Sequence, residues 1–198
     1  MKIVLLALVM STATLFVAPA AMAAPGSDGD YFVEARVGSA SIWNEGTQTS
    51  SQELLGGYRW NTGFGKLGFE LGYVGLGEID SGTPSIGFAE FGATINKAHL
   101  IKAGLDLNFT FAEQAYLEPR IGLTRLSYTG VQRDFSPAGI SNYTYYSETR
   151  TGHYAGIGLG VWFTPHFAAS LNFDGHTAEI LGETQTISVV SLGVQFQF

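Results

Sequence analysis

The chain has 198 residues, 45% of them hydrophobic, with a formal net charge of −7 and no cysteine. So acidic a chain, with only ten Lys and Arg, is not a nucleic-acid binder. The missing cysteine excludes disulfides, lipoprotein anchoring and thiolate metal sites.

The N-terminus reads as an export signal. Lys2 supplies the positive start, residues 3–17 form an apolar run, and Ala21, Met22 and Ala23 make an A-x-A cleavage site. Residues 1–23 are expected to be a cleaved signal peptide and residues 24–198 a single outer-membrane β-barrel domain. No later apolar run approaches the length of about twenty residues that a spanning helix needs. Gly numbers 26 and aromatics reach 13%, a composition suited to a closed β-sheet.

Eight segments then alternate with period two, the pattern of a strand with different surroundings on its two faces. The first, residues 31–43, sets Tyr31, Val33, Ala35 and Val37 against Glu34 and Arg36. The second, 52–60, sets Leu54, Tyr58 and Trp60 against Glu53 and Arg59. The third, 66–76, sets Leu67, Phe69, Leu71 and Tyr73 against Glu70 and glycines. The fourth, 98–109, sets Ile101, Ala103, Leu105 and Leu107 against Lys102 and Asp106. The fifth, 115–128, sets Leu117, Pro119, Ile121 and Leu123 against Glu118 and Arg120. The sixth, 148–163, sets Ala155, Ile157, Leu159 and Val161 against Gly156, Gly158 and Gly160, with Arg150 assigned to the same polar face. The seventh, 167–177, sets Phe167, Ala169, Leu171 and Phe173 against Asp174 and His176. The eighth, 184–198, ends in Val194, Gln195, Phe196, Gln197 and Phe198.

Connections after the second, fourth and sixth segments are short, and those after the others are longer and polar. The longest are residues 77–97 and 129–147. Short turns at one end and long loops at the other, with an even strand number, predict an all-β, eight-stranded, antiparallel, up-and-down transmembrane barrel. Its outward face is aliphatic, and aromatics near the strand ends (Tyr31, Trp43, Trp60, Tyr73, Phe109, Phe163, Phe167, Phe196 and Phe198) are expected to form two interfacial girdles.

The inward face carries Glu34, Arg36, Glu53, Arg59, Glu70, Lys102, Asp106, Glu118, Arg120, Arg150, Asp174 and His176. An eight-stranded barrel has room for little more than its own side chains, so these charges are expected to pair with one another as a structural plug. A narrow, gated ion path through the same charges stays open as an alternative. The glycines at 156, 158 and 160 are expected to make room for bulky neighbours such as Tyr116 or Trp162.

Little chemistry is legible. None of His99, His153, His166 and His176 belongs to a metal-binding spacing, and no cofactor is expected. His176 and Asp174 share a face, an arrangement able to orient an imidazole. His99 and His153 fall near the outer rim, which leaves an outer-leaflet lipid-modifying enzyme conceivable. The His-x-Ser motif of small barrel deacylases is absent, and a non-enzyme is expected. The loops are better clues. Tyr143, Tyr145 and Tyr146 lie in a Ser-, Asn- and Gly-rich stretch suited to contact surfaces, or they extend the sixth strand beyond the membrane. Phe88 and Phe91 flank Glu90 and are expected to pack on the rim or dip into the lipid.

With these features together, residues 30–198 resemble the small outer-membrane β-barrel superfamily: the OmpA-type transmembrane domain, the OmpX/Ail-like proteins and the opacity-type surface antigens. The ending at Val194, Phe196 and Phe198 resembles the signal by which such chains are handed to the barrel-assembly machinery. The pairs Glu34–Arg36 and Glu118–Arg120 resemble the ion-paired plug of OmpA-type barrels. The resemblance implies a bacterial outer-membrane location, periplasmic termini and loops outside the cell. It implies no single activity, since members act as adhesins, serum-resistance factors, phage receptors or structural fillers. No counterpart of the peptidoglycan-binding domain of full-length OmpA is expected. The expected partners are outer-membrane lipid and lipopolysaccharide, the assembly machinery, and a host surface or phage, with the barrel itself a monomer. The expected function is envelope integrity, adhesion or another surface interaction, with a small gated channel as the alternative.

Overall fold

The computed structural model describes residues 29–42, 48–77, 79–81, 85–86, 89–135, 141–180 and 183–198. The expected signal peptide, Trp43 and Phe88 lie outside the described residues. The strands in chain order are β1 (Gly29–Ile42), β2 (Gln48–Thr62), β3 (Gly65–Leu76), β4 (Ile79–Ser81), β5 (Ser85–Ile86), β6 (Ala89–Phe111), β7 (Ala115–Phe135), β8 (Ser141–Trp162), β9 (Phe167–Ile180) and β10 (Glu183–Gln197). Each long strand pairs antiparallel with its neighbour, β10 returns to β1, and β3 pairs with β6. Eight long strands therefore close into a barrel. Among the described residues the two short ones, β4 and β5, pair with β6.

Closure follows from the solvent. Lipid offers no hydrogen bonds, so an open strand edge within it would leave backbone groups unsatisfied. The seam is completed at the chain's end, where Tyr31 and Phe198 exchange both backbone hydrogen bonds at 2.9 Å.

The stagger can be read from the register. Arg59 on β2 pairs with Gly68, which pairs with Asp106, and the line continues through Arg120, Gly156, Asp174, Val189 and Ala40 to Thr49, ten residues back along β2. A line that leaves β2 near its short-turn end thus returns near the opposite end. The strands are strongly tilted, as barrel closure demands.

Alternation sorts the faces as expected. Val37, Leu54, Leu71, Ile121, Leu123 and Leu192 point outward and are exposed, while Glu34, Arg36, Glu70, Lys102 and Asp174 point inward and are buried. Two expectations need correction. The aromatics form one clear girdle among the described residues, at the short-turn end, where Tyr31, Tyr58, Trp60, Phe64, Phe109, Phe167, Phe196 and Phe198 make ring contacts. At the other end the described rings facing out near the rim include Tyr73, stacked on His99. The long loops are also largely strand. β6, β7 and β8 run 23, 21 and 22 residues against 12 to 15 for β1, β2, β3, β9 and β10. They stay paired out to Glu90–Phe135 and Phe135–Ser141. Beyond the lipid an outward position meets water instead, so apolar alternation is no longer enforced while backbone pairing continues.

Candidate functional site: the lumen and the projecting strands

The charged inward side chains condense into one network. Arg36 on β1 lies 2.7 Å from Glu34, 3.4 Å from Glu53 and 3.5 Å from Asp174. Arg59 on β2 binds Asp106 at 2.6 Å and Glu118 at 2.7 Å, and donates to Gln195 at 3.1 Å. Arg120 on β7 binds Asp174 at 2.7 Å and Glu118 at 3.1 Å. Lys102 on β6 pairs with Glu53 and stands 3.7 Å from Glu70. Every side chain in these pairs is nearly inaccessible to solvent.

Carboxylates outnumber cations in this network: Glu34, Glu53, Glu70, Asp106, Glu118 and Asp174 face Arg36, Arg59, Lys102 and Arg120. Neutral donors make up the difference. Ser170 donates to Glu34 at 2.6 Å, Asn108 to Glu118 at 3.1 Å, and Tyr154 to Glu70 at 2.5 Å. Each of these carboxylates is thus held by more than its arginine or lysine, which is what lets a buried charge persist.

The glycines give this network its space. A Cβ at Gly160 would collide with the Tyr116 ring, and one at Gly156 with the Asp174 carboxylate. His176 is buried but stacks on the Tyr154 ring at 5.7 Å, while the Asp174 carboxylate is engaged by Arg120 and Arg36. The shared face would allow Asp174 to orient His176, but the arginines claim the carboxylate and His176 is an interior histidine packed on Tyr154.

Arg150 does not join the network. It pairs with Glu148 at 2.9 Å, and Tyr128 donates to the same carboxylate at 2.9 Å. The pair is partly exposed. The reason is topological: β8 pairs with β9 only from His153–Thr177 downward, so Arg150 sits above the closed part of the wall.

A second feature of the lumen is absent from the charge pattern. Towards the long-strand end the inward positions turn apolar: Ala40, Val74, Leu76, Ala98, Leu100, Leu126, Tyr128, Ala178, Ile187 and Val189 pack into one buried cluster. Val74, Leu100 and Leu126 are 0% exposed. The lumen is therefore filled at two levels, by an ion-paired layer and by an apolar layer above it. A tightly packed apolar constriction opposes ions because it does not wet. The parity of Leu100 and Leu126, even-numbered like Lys102 and Arg120 on the same strands, would have revealed this layer in the sequence.

The three loop tyrosines separate. Tyr143 and Tyr145 face outward on β8, 58% and 80% exposed, whereas Tyr146 lies on the other face and packs edge-on against Tyr128. Phe91 belongs to β6, its backbone paired with Asp134. Val194 and Phe196 face outward, and Phe198 stacks on Tyr31 and Phe196.

A profile of the outer membrane protein β-barrel domain matches residues 9–198. No curated protein sequence matches the chain. Among solved structures, Neisserial surface protein A is similar at 18% identity and a TM-score of 0.51, with 87% of this chain and 98% of that chain covered. The N-terminal β-barrel domain of Pseudomonas aeruginosa OprF is similar at 17% identity and a TM-score of 0.51, with 86% and 99% covered. At such identities the likeness is one of fold.

Proposed function

The chain belongs to the outer-membrane β-barrel family, and from that premise we propose that it is a non-conducting, non-enzymatic surface protein whose working part is the sheet projecting from the extracellular end. The barrel anchors that sheet and seals its own lumen. The short turns and both ends of the barrel face the periplasm.

The observation that carries this reading is the edge of β8. Below His153 the strand is held on both sides, by β7 and β9. From Ser141 to Thr151 it pairs with β7, and no other described strand is in register with it. An unpaired edge of this length presents a row of backbone donors and acceptors to which an extended segment of another protein can add. Tyr143 and Tyr145 stand on this stretch and supply contact area at low entropic cost. The occupant under this reading is an extended chain on a host surface or phage.

The test shortens the hairpin. Val131 and Tyr145 are register partners, so residues 132–144 can be replaced by an Asn-Gly turn without disturbing the wall. The shortened protein should keep the gel shift of a folded barrel and lose adherence of expressing cells to host cells or phage. Unchanged adherence would refute the reading.

A further inference from the structure

Near the long-strand end the outward face of β6, β7 and β8 carries cations where other strands carry uncharged groups such as Ser39, Gln52 and Thr177. Lys97 and His99 lie on β6, Arg125 on β7 and His153 on β8, all on the outward parity. Lys97, Arg125 and His153 are exposed, and His99 is half-buried against Tyr73, their rings stacked at 5.7 Å. Immediately below them, on the same parity, lie the exposed apolar residues Ile101 and Leu123, with Ala155 and Ile157 on β8.

The stagger of the barrel sets these residues at one height. Register lines climb towards the long-strand end by ten residues in one circuit of eight strands, a little over one residue per strand. Outward positions that step back two residues per strand descend by less than one residue at each step, so over the three strands β6 to β8 they stay within two residues of one level. His99 pairs with Ser127, and Arg125 lies two residues below it. Arg125 pairs with Thr151, and His153 lies two residues below that. Further round the barrel the outward positions nearest that level, Thr177 on β9 and Ser39 on β1, carry hydroxyls and no charge. The cations thus occupy one sector of a ring that is otherwise uncharged.

Ser127, Thr129, Thr149 and Thr151 surround the cations on the same face, with the Ser127 and Thr149 hydroxyls 3.1 Å apart. A register shift between Ile95 and Lys97 interrupts the β6 ladder directly above the patch, and such irregularities commonly re-aim a side chain. Among the described residues neither Lys97 nor Arg125 has an ion-pair or hydrogen-bond partner. Glu179, exposed on β9 two residues beyond the partner of His153, borders the patch on one side.

An outward cation at the top of an aliphatic belt stands among lipid headgroups. Such a charge costs about 2–4 kcal/mol at the bilayer centre and little near the interface. Its natural partner there is phosphate, which guanidinium grips with two parallel hydrogen bonds. The patch spans three strands, or roughly 10 Å at the usual strand spacing, which is wider than one phosphate.

We propose that Lys97, His99, Arg125 and His153 form a site on the barrel wall for a bisphosphorylated glycolipid of the outer leaflet, of the lipid A type. Arg125 takes one phosphate, Lys97 reaches the other from above, the two imidazoles flank them, and the threonine hydroxyls meet the sugar. The acyl chains lie along Ile101, Leu123 and Ile157. This site needs the barrel to span the membrane with its short turns in the periplasm. It does not depend on any partner adding to the β8 edge.

The experiment titrates the folded, detergent-solubilised native protein with lipid A and counts bound lipid by native mass spectrometry. A basic residue near an anionic surface contributes roughly five-fold in affinity. The Lys97→Gln/Arg125→Gln/His153→Gln variant is therefore expected to bind at least roughly 25-fold more weakly. Lipid A stripped of both phosphates should bind the native protein no better than it binds the variant. Lys66→Gln, which removes a charge at the opposite rim, should change nothing. Gel mobility confirms folding. If the triple variant fails to fold, Lys97→Gln and Arg125→Gln alone should each show the roughly five-fold loss. Affinity unchanged within two-fold in folded variants would overturn the site. So would an equal loss in Lys66→Gln, or equal retention of phosphatidylglycerol by the native protein.

Discussion

Tyr154 on β8 reaches across the lumen to Glu70 on β3, its hydroxyl 2.5 Å from the carboxylate, although the two residues are 84 apart in sequence. Two strands, β6 and β7, lie between theirs in the wall, so this bond ties separated parts of the barrel across its interior. It also explains the tolerance for Glu70, whose other close partner, Lys102, stands 3.7 Å away. Tyr154→Phe removes the donor and leaves the ring in place. A hydrogen bond to a buried charge contributes about 1.5–3 kcal/mol, and the variant should unfold in urea with a stability loss of that size. A loss below about 0.5 kcal/mol, within the range of neutral surface changes, would mean that Glu70 is held by Lys102 alone.

Arg59 is the more severe test of the plug. Its guanidinium serves Asp106 and Glu118 at once and lies over the Phe32 ring at 3.7 Å. Arg59→Met keeps bulk and removes charge, leaving two buried carboxylates short of a partner. Breaking a buried pair in this way costs about 3–5 kcal/mol. Adding Asp106→Leu removes one of the orphaned acids and should restore part of the loss, so the two substitutions should be clearly non-additive. Additive losses in urea unfolding would show that the network is not a unit.

These residues bear on what was legible beforehand. The strands and the plug were readable because a membrane enforces contrast: Leu105 meets lipid, Asp106 cannot, and the chain records the difference at every step. The apolar layer is harder to read, because inward leucines carry no charge to set them apart from outward ones. Leu100 and Leu126 look like lipid-facing residues until their even parity is noticed. Above the bilayer the contrast disappears. Along 129–131 and 143–147 the sequence runs through Thr, Gly, Ser and Tyr rather than alternating apolar residues, so no strand is announced there, and Arg150 shares the plug's face by parity alone. The lipid-facing cations were overlooked for the converse reason, since Arg125 breaks the outward apolar pattern only at its upper border.

The seam at Phe198 separates two roles. Its backbone pairs with Tyr31, and its ring stacks on Tyr31 at 5.9 Å and on Phe196 at 5.7 Å. Phe198→Ala keeps the backbone bonds and loses the stacks, each contributing about 0.5–1.5 kcal/mol beyond buried area. Refolded in vitro, the variant should be only modestly weakened. In cells its membrane-inserted yield should fall further than that stability loss explains, if Val194, Phe196 and Phe198 are read by the assembly machinery. Equal yields of native and variant barrel would remove that role and leave Phe198 as part of the seam.

The two filled levels of the lumen make a definite electrical prediction. Ions crossing the barrel would have to pass the layer of Leu100, Leu126 and Ile187 and then the layer of Arg36, Arg59 and Arg120. Planar-bilayer recordings of the folded native protein should show no reproducible steps. Leu100→Ser/Leu126→Ser opens the first barrier and leaves the second, so this variant should also stay silent. Lys102→Glu places a further anion among Glu53, Glu70 and Asp174 and should destabilise the fold rather than create a selective pore. Discrete steps from the native protein, with selectivity that reverses in a folded Lys102→Glu barrel, would instead make the charges a pathway, and the apolar layer would then be its gate.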